Sequence, residues 1–259
     1  GFVAQFVLLP AFTFLLIISI KLPVAIALGM LLVAACPGGN VSNFITSLAK
    51  GNIALSVSLT AIADLASVIM TPLNFTFWGN LYLETLPLVH PIHIPFSQVM
   101  ETILLLMALP LTVGMFFSHK FPELTKKIVK PIKLFSLFAF FAFVAGALAA
   151  NFGLFMKYIH VIFPIVIIHN LLAYLIGWSA GGLMRVGTEN RKTITIEIGI
   201  QNSGLALILF FNHKIFPDGY GGVAFIAAWW GVWHIVAGLI ISTIWARYTN
   251  RQLAKQLKS

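Results

Sequence analysis

The sequence predicts an all-α, polytopic membrane protein of about eight transmembrane helices. Three observations carry this. Apolar residues fill 59% of the 259 positions and charged residues only 9%, against about 45–50% and about 25% in soluble domains. The apolar residues come in continuous runs near the ~20 residues that cross a bilayer as a helix. They lack the in–out alternation of a membrane β-strand. The 16 Lys and Arg residues sort onto alternate ends of these runs. The same composition excludes a disordered chain. A single cysteine, Cys36, excludes a disulfide framework, a CxxC pair and a cysteine-rich zinc site.

The runs lie near 2–20, 22–49, 52–79, 96–118, 132–151, 158–185, 190–212 and 219–246. One set of ends and loops carries Lys50, then Lys120, Lys126, Lys127, Lys130 and Lys133, then Arg185, Arg191 and Lys192, then Arg247, Arg251, Lys255 and Lys258. The other set carries Lys21, Lys157 and Lys214. Basic residues gather on the cytoplasmic side. The start of the first span and the C-terminus are therefore expected in the cytoplasm, in a cell membrane taken to be a bacterial inner membrane. The net charge of +9 is this insertion bias rather than a nucleic-acid footprint. The chain opens on Gly1-Phe2-Val3, already inside an apolar run. That start reads either as a compact natural variant or as a chain without spans that would come first.

Two runs carry interruptions. The second contains Cys36-Pro37-Gly38-Gly39-Asn40-Val41-Ser42-Asn43. Proline removes a backbone donor and clashes with the preceding turn, and glycine weakens a helix. One half-helix is expected to about Cys36 and another from about Ser42 to Ala49, with Ser42 and Asn43 as capping residue types. The seventh run contains Glu197-Ile198-Gly199-Ile200-Gln201-Asn202-Ser203-Gly204. A carboxylate at the bilayer centre costs from about 2.5 to over 10 kcal/mol, depending on the scale. Unwound backbone at that depth persists only where it lines a cavity or is buried in protein. Paired interrupted spans in the two halves of a chain mark the binding site of an inverted-repeat secondary transporter. A structural kink remains the alternative for the first interruption.

Polar residues flank the interruptions. Ser56, Thr60 and Asp64 recur every four residues in the third run, so they share a helical face that suits a hard cation. Gln5 lies one turn into the first run; His169-Asn170 and Trp233-His234 lie mid-run in the sixth and eighth. The GxSxG, HExxH and P-loop patterns are absent. No feature of the sequence assigns an oligomeric state.

Several patches resemble the bile acid:sodium symporter family. They are Cys36-Pro37-Gly38-Gly39 into Ser42-Asn43, Leu48 through Asn52 with Ala54-Leu55-Ser56-Val57, Glu197 through Leu205, and Val232-Trp233-His234. The resemblance implies two inverted five-helix repeats, with two broken helices crossing near the midplane. It divides the chain into a core domain (1–79 and 152–259) and the remaining panel helices (96–151), with the family's first two helices absent. It implies two Na+ ions as coupling ions. Ser42, Asn43, Ser56, Thr60 and Glu197 would hold one. Gln5, Glu197 and Gln201, with the carbonyls of Ile198 and Ile200, would hold the other. A small-molecule organic anion would sit near Asn202, His234, Asn40 and Ser203. Asp64 stands where the family more often has a small hydroxyl residue, and Ile235 follows His234 where Asn is common.

The expected function is sodium-coupled symport of an organic anion, bile-acid-like or another amphipathic carboxylate or sulfonate, by alternating access. One alternative is proton coupling through Asp64 and Glu197. Two others are ion and ligand binding without transport, and an intramembrane enzyme using His169, His234 and the buried acids; no motif supports that last reading.

Overall fold

In lipid a spanning segment must satisfy its backbone hydrogen bonds internally, so the long apolar runs coil. The computed structural model describes the backbone of residues 1–86, 93–150 and 152–256, and among these the regular structure is helical throughout. The helices are α1 (Leu9–Ile20), α2 (Val24–Ala35), α3 (Val41–Leu48), α4 (Ile53–Glu84), α5 (Phe96–Ile103), α6 (Leu109–Lys120), α7 (Pro122–Ala150), α8 (Phe152–Leu183), α9 (Thr188–Gly199), α10 (Ser203–Phe210) and α11 (Gly221–Gln256). Among the described residues four stretches are long and apolar enough to cross a membrane: Ile53–Glu84, Phe96–Lys120, Met156–Leu183 and Gly221–Gln252.

Two π-helical turns, Ala4–Leu8 before α1 and Leu104–Ala108 between α5 and α6, are each followed at once by a proline-bearing turn, at Pro10 and Pro110. A proline ring crowds the carbonyl four residues back, and the wider turn relieves that contact. Four helix ends differ from the hydropathy reading, one of them the start of α8 at Phe152 rather than near 158. The fourth helix continues past residue 79 to Glu84, carrying Pro72 inside it. The seventh begins at Pro122 rather than near 132, because proline is favoured in a first turn and Glu123 pairs with Lys126 at 2.7 Å. The last runs on to Gln256. Hydropathy reports lipid contact, and these polar turns are helical without it.

The interior is built around two short helices. Every residue of α2 from Ile26 to Ala35 is buried, and so is every residue of α9 from Lys192 to Gly199. The first is sheathed by α11, α4 and α1, the second by α8, α4 and α3. Small residues permit the approach of α2 to α11. A Cβ on Gly29 would lie 2.9 Å from Ile226 Cβ and 3.0 Å from Val223 Cα. Small residues at helix contacts are the usual device in membranes, where apolar burial between helices gains little over lipid. Outside, Leu134, Phe135 and Phe138 of α7 are each 70% exposed, as a lipid-facing surface requires.

Gly29→Leu should therefore lower thermal stability in detergent by about 1–3 kcal/mol or more, the range for overpacking a tight contact. An unchanged melting temperature would contradict this α2–α11 contact.

Candidate ion and substrate site

Helix α2 stops at Ala35 and α3 starts at Val41; α9 stops at Gly199 and α10 starts at Ser203. The two connecting stretches lie against each other. Gly38 and Gln201 form an antiparallel bridge. Gly39 N–H donates to Ile200 O at 2.7 Å and Asn202 N–H donates to Pro37 O at 2.9 Å. Side chains satisfy the carbonyls at the ends of α2 and α9. Thr71 donates to Ala35 O at 2.7 Å, Gln5 Nε2 to Cys36 O at 2.8 Å, Asn170 Nδ2 to Gly199 O at 2.8 Å and Gln201 Nε2 to Ile198 O at 2.6 Å. Buried backbone groups left without partners would cost several kcal/mol each.

Glu197 sits at this junction and is 3% exposed. Ser42 of α3 donates to its Oε2 at 2.7 Å. The Thr60 hydroxyl of α4 lies 2.8 Å from Glu197 Oε1, 3.0 Å from Ser56 O and 3.4 Å from Asn43 Oδ1. One proton thus faces three acceptors. Ser42 Oγ and Thr60 Oγ1 are 3.3 Å apart. The group holds more acceptor oxygens than protons to fill them, which is the condition for taking up a hard cation. Gly38 leaves room for the carboxylate: a Cβ there would lie 2.5 Å from Glu197 Oε1. On the other side Gln5 Nε2 donates to Gln201 Oε1 at 2.9 Å, and Gln201 Nε2 lies 3.2 Å from Gln5 Oε1. Both side chains are buried. The Ile198 carbonyl joins this second group by accepting from Gln201 Nε2, while the Ile200 carbonyl is taken by Gly39 N–H.

Ser42, Asn43, Thr60 and Glu197 are thus brought together, as are Gln5, Gln201 and the Ile198 carbonyl. Ser56 donates to Thr46 Oγ1 at 3.3 Å, and its side chain also interacts with the Glu197 carboxylate. The expected caps are not used. The residue before α3 is Asn40, without a side-chain cap bond, because Ser42 serves Glu197 instead. Asn202 Oδ1 takes Leu205 N–H at 3.0 Å and caps α10, while Ser203 is buried beneath it. His234 is buried too, and its Nδ1 has no partner among the described residues. A cavity of about 200 Å3 is lined by Asn40, Asn43, Thr60 and Asp64 with Val57, Ala61, Leu65, Leu111 and Met115. Of the expected substrate contacts only Asn40 lines it; Asn202, Ser203 and His234 do not. Two polar residues, Thr46 and Thr71, were missed from sequence, and Asn170 was noted there without its role. Thr46 lies one turn beyond Ser42 on α3, which was a readable signal. Thr71 and Asn170 serve distant carbonyls, and nothing local announces that.

The breaks between α2 and α3 and between α9 and α10 thus meet beside a buried carboxylate in a helical, polytopic membrane protein. The profile of the sodium bile acid symporter family matches residues 1–176. The chain is 31% identical over 255 residues to the "Uncharacterized sodium-dependent transporter YocS" of Bacillus subtilis (strain 168), covering 98% of this chain and 75% of that protein. It is 29% identical to the "Probable sodium/metabolite cotransporter BASS1, chloroplastic" of Arabidopsis thaliana, over 98% of this chain and 60% of that one. It is 28% identical to the "Sodium-dependent organic anion transporter" of Bos taurus, over 97% of this chain and 65% of that one. The chain belongs to the sodium bile acid symporter family. It is a multi-pass membrane transporter rather than an enzyme.

Two substitutions test the junction. Ser42→Ala removes a donor from a buried carboxylate and should cost about 1.5–3 kcal/mol of stability. Gly38→Ala sets a methyl against Glu197 and should lower the melting temperature at least as far. Wild-type melting for both variants would show that the carboxylate lies elsewhere.

Proposed function

We propose that this chain is a sodium-coupled symporter of a small organic anion, working by alternating access. The observation that carries the reading is the buried Glu197 carboxylate, shared between hydroxyls of α3 and α4 in a group rich in oxygen and poor in protons. Sodium is cargo in this scheme. One ion lies among Ser42, Asn43, Ser56, Thr60 and Glu197. The other lies among Gln5, Glu197, Gln201 and the carbonyls of Ile198 and Ile200. Each ion replaces hydrogen bonds that the same oxygens otherwise make to one another. One carboxylate then serves two cations, and each relieves the cost of burying it.

The broken pairs α2–α3 and α9–α10 act as crossing discontinuous helices of an inverted repeat. Residues 1–79 and 152–259 form the core that carries the site, and 96–151 form the panel against which it moves. The C-terminus faces the cytoplasm. The names of the relatives, one a sodium-dependent organic anion transporter, support this class of cargo. Two sodium ions with one monoanion move one net charge, worth about 2.3 kcal/mol per 100 mV. A proton-coupled scheme would use Asp64 with Glu197, and no hydrogen bond joins these two among the described residues.

Uptake of organic anions into proteoliposomes should require an inward sodium gradient and stop when potassium replaces sodium. Equal flux in the two buffers would refute the reading. Sodium should also stabilise the purified protein, by about 2.7 kcal/mol per site at a concentration a hundredfold above Kd. Glu197→Gln should weaken that effect so that at least tenfold more sodium is needed. A Glu197→Gln protein that keeps its full sodium response would sink the site assignment.

A further inference from the structure

The cavity beside the proposed ion site carries a charge that a plain anion would avoid. Asp64 follows Thr60 by four residues on α4, so both present to one face. Helices α3 and α4 run past each other in opposite directions. Thr46 meets Ser56, and Asn43 meets Thr60. The next step of that register sets Asp64 beside Asn40, at the start of α3. That is where a transporter helix would ordinarily offer its N–H groups to an acid. Here a fixed carboxylate occupies the same wall of the cavity.

The Asp64 side chain makes no hydrogen bond or ion pair with a described residue; Ser67 takes only its backbone carbonyl, at 2.7 Å. The cavity wall holds no Lys, Arg or His. It offers a carboxylate, two carboxamides, one hydroxyl and five apolar side chains. Its volume of about 200 Å3 is smaller than the ~300–1,000 Å3 of sites for drug-sized ligands. The occupant is therefore small. It has a short alkyl part for Val57, Ala61, Leu65, Leu111 and Met115. Its acid group can be met by the carboxamide NH2 groups of Asn40 and Asn43, and a cationic group must answer Asp64.

We propose that Asp64 receives the ammonium group of the substrate, so that the carried solute is a small amino-bearing carboxylate or sulfonate rather than a plain anion. This rests on the symport reading above and narrows its substrate class.

The test uses the purified full chain, in sodium and in potassium buffer, with two matched pairs of probes: β-alanine against propionate, and taurine against ethanesulfonate. Binding is read from thermal stabilisation. In sodium the amino-bearing member of each pair should bind at least tenfold tighter. Asp64→Asn should bring that ratio to about one while sodium alone still stabilises the protein, at a somewhat higher concentration because one nearby negative charge is gone. Asp64→Ser, run beside it, should behave the same. Several results overturn the proposal while leaving the symport reading intact: plain acids that bind as tightly as their amino partners, ratios that survive both substitutions, or a wild-type protein that responds to sodium and to none of the four probes. A loss of sodium stabilisation in both variants also overturns it, by assigning Asp64 to the ion site. If the wild-type protein shows no sodium stabilisation, the symport reading itself fails and this inference falls with it.

Discussion

The molecule is organised by a requirement on its backbone. An interrupted helix in a membrane leaves N–H and C=O groups that lipid cannot satisfy. Here the two interruptions satisfy each other. Pro37 O, Gly39 N, Ile200 O and Asn202 N pair as a short antiparallel contact between segments about 160 residues apart in sequence. Neither interruption is sustainable alone, so each fixes the position of the other. The remaining carbonyls, at Ala35, Cys36, Ile198 and Gly199, are taken by Thr71, Gln5, Gln201 and Asn170. The burial of α2 and α9 follows. These helices must bring their ends to one point inside the protein, so other helices surround them.

Glu197 depends on that junction and also strains it. Burying a carboxylate costs several kcal/mol even after relaxation, and two hydroxyl donors offset part of this. The approach of Gly38 leaves no room for a larger residue to shield the charge. Adding protein donors would lower the cost and fill the site permanently. The sequence instead gives it hydroxyls whose protons are contested, since Asn43 Oδ1 and Ser56 O lie within reach of the same Thr60 hydroxyl that faces Glu197. An arrangement tuned only for stability would not be short of protons. This shortage is what favours the cation-binding reading over a structural kink.

The parts of this arrangement that obey local rules were legible in the sequence. Pro37-Gly38-Gly39 and the run from Glu197 to Gly204 announce broken helices, and Ser56, Thr60 and Asp64 announce a shared face through their spacing. The capping roles were misread. Ser42 and Asn43 have the right chemistry to cap α3, but the nearby carboxylate competes for the Ser42 hydroxyl and wins. Asn202, expected against substrate, also gives its oxygen to Leu205 N–H as the cap of α10. Thr46 was within reach of the same spacing argument. Thr71, Asn170 and Lys192 were not. Each serves a backbone carbonyl on a distant segment, and a polar residue in an apolar run looks the same whichever carbonyl it will meet. The helical start of α7 was hidden for another reason: Leu124, Ile128, Val129 and Ile132 recur at helical spacing among lysines, an amphipathic pattern rather than a continuous apolar run.

The ends of the broken pairs that carry Lys50 and Lys192 limit which seam can move in the proposed transport cycle. Lys192 is buried, and its ammonium caps the end of α3 by donating to Ala49 O at 3.1 Å and to Thr249 Oγ1 at 2.7 Å. Lys50 reaches Asn250. Asn52 Nδ2 donates to Asn190 Oδ1 at 2.9 Å, and Asn52 N–H donates to Thr193 Oγ1 at 2.9 Å. Segments from both parts of the proposed core are thus tied at one end, and Glu197 ties them again in the middle. Separating them would strand an ammonium and a carboxylate in a poorly solvated interior, each at a cost of several kcal/mol. The side-chain hydrogen bonds of described α6 and α7 residues are local, such as Thr112 to Ala108 O and Lys126 to Glu123. The seam between 96–151 and the rest, where Leu111 and Met115 line the cavity with Asp64, is crossed by neutral bonds, Asn212 Nδ2 to Thr102 Oγ1 at 2.7 Å and Ser67 Oγ to Met107 Sδ at 3.3 Å, and can open without stranding a buried charge. On the proposed reading, that is where access to the site changes.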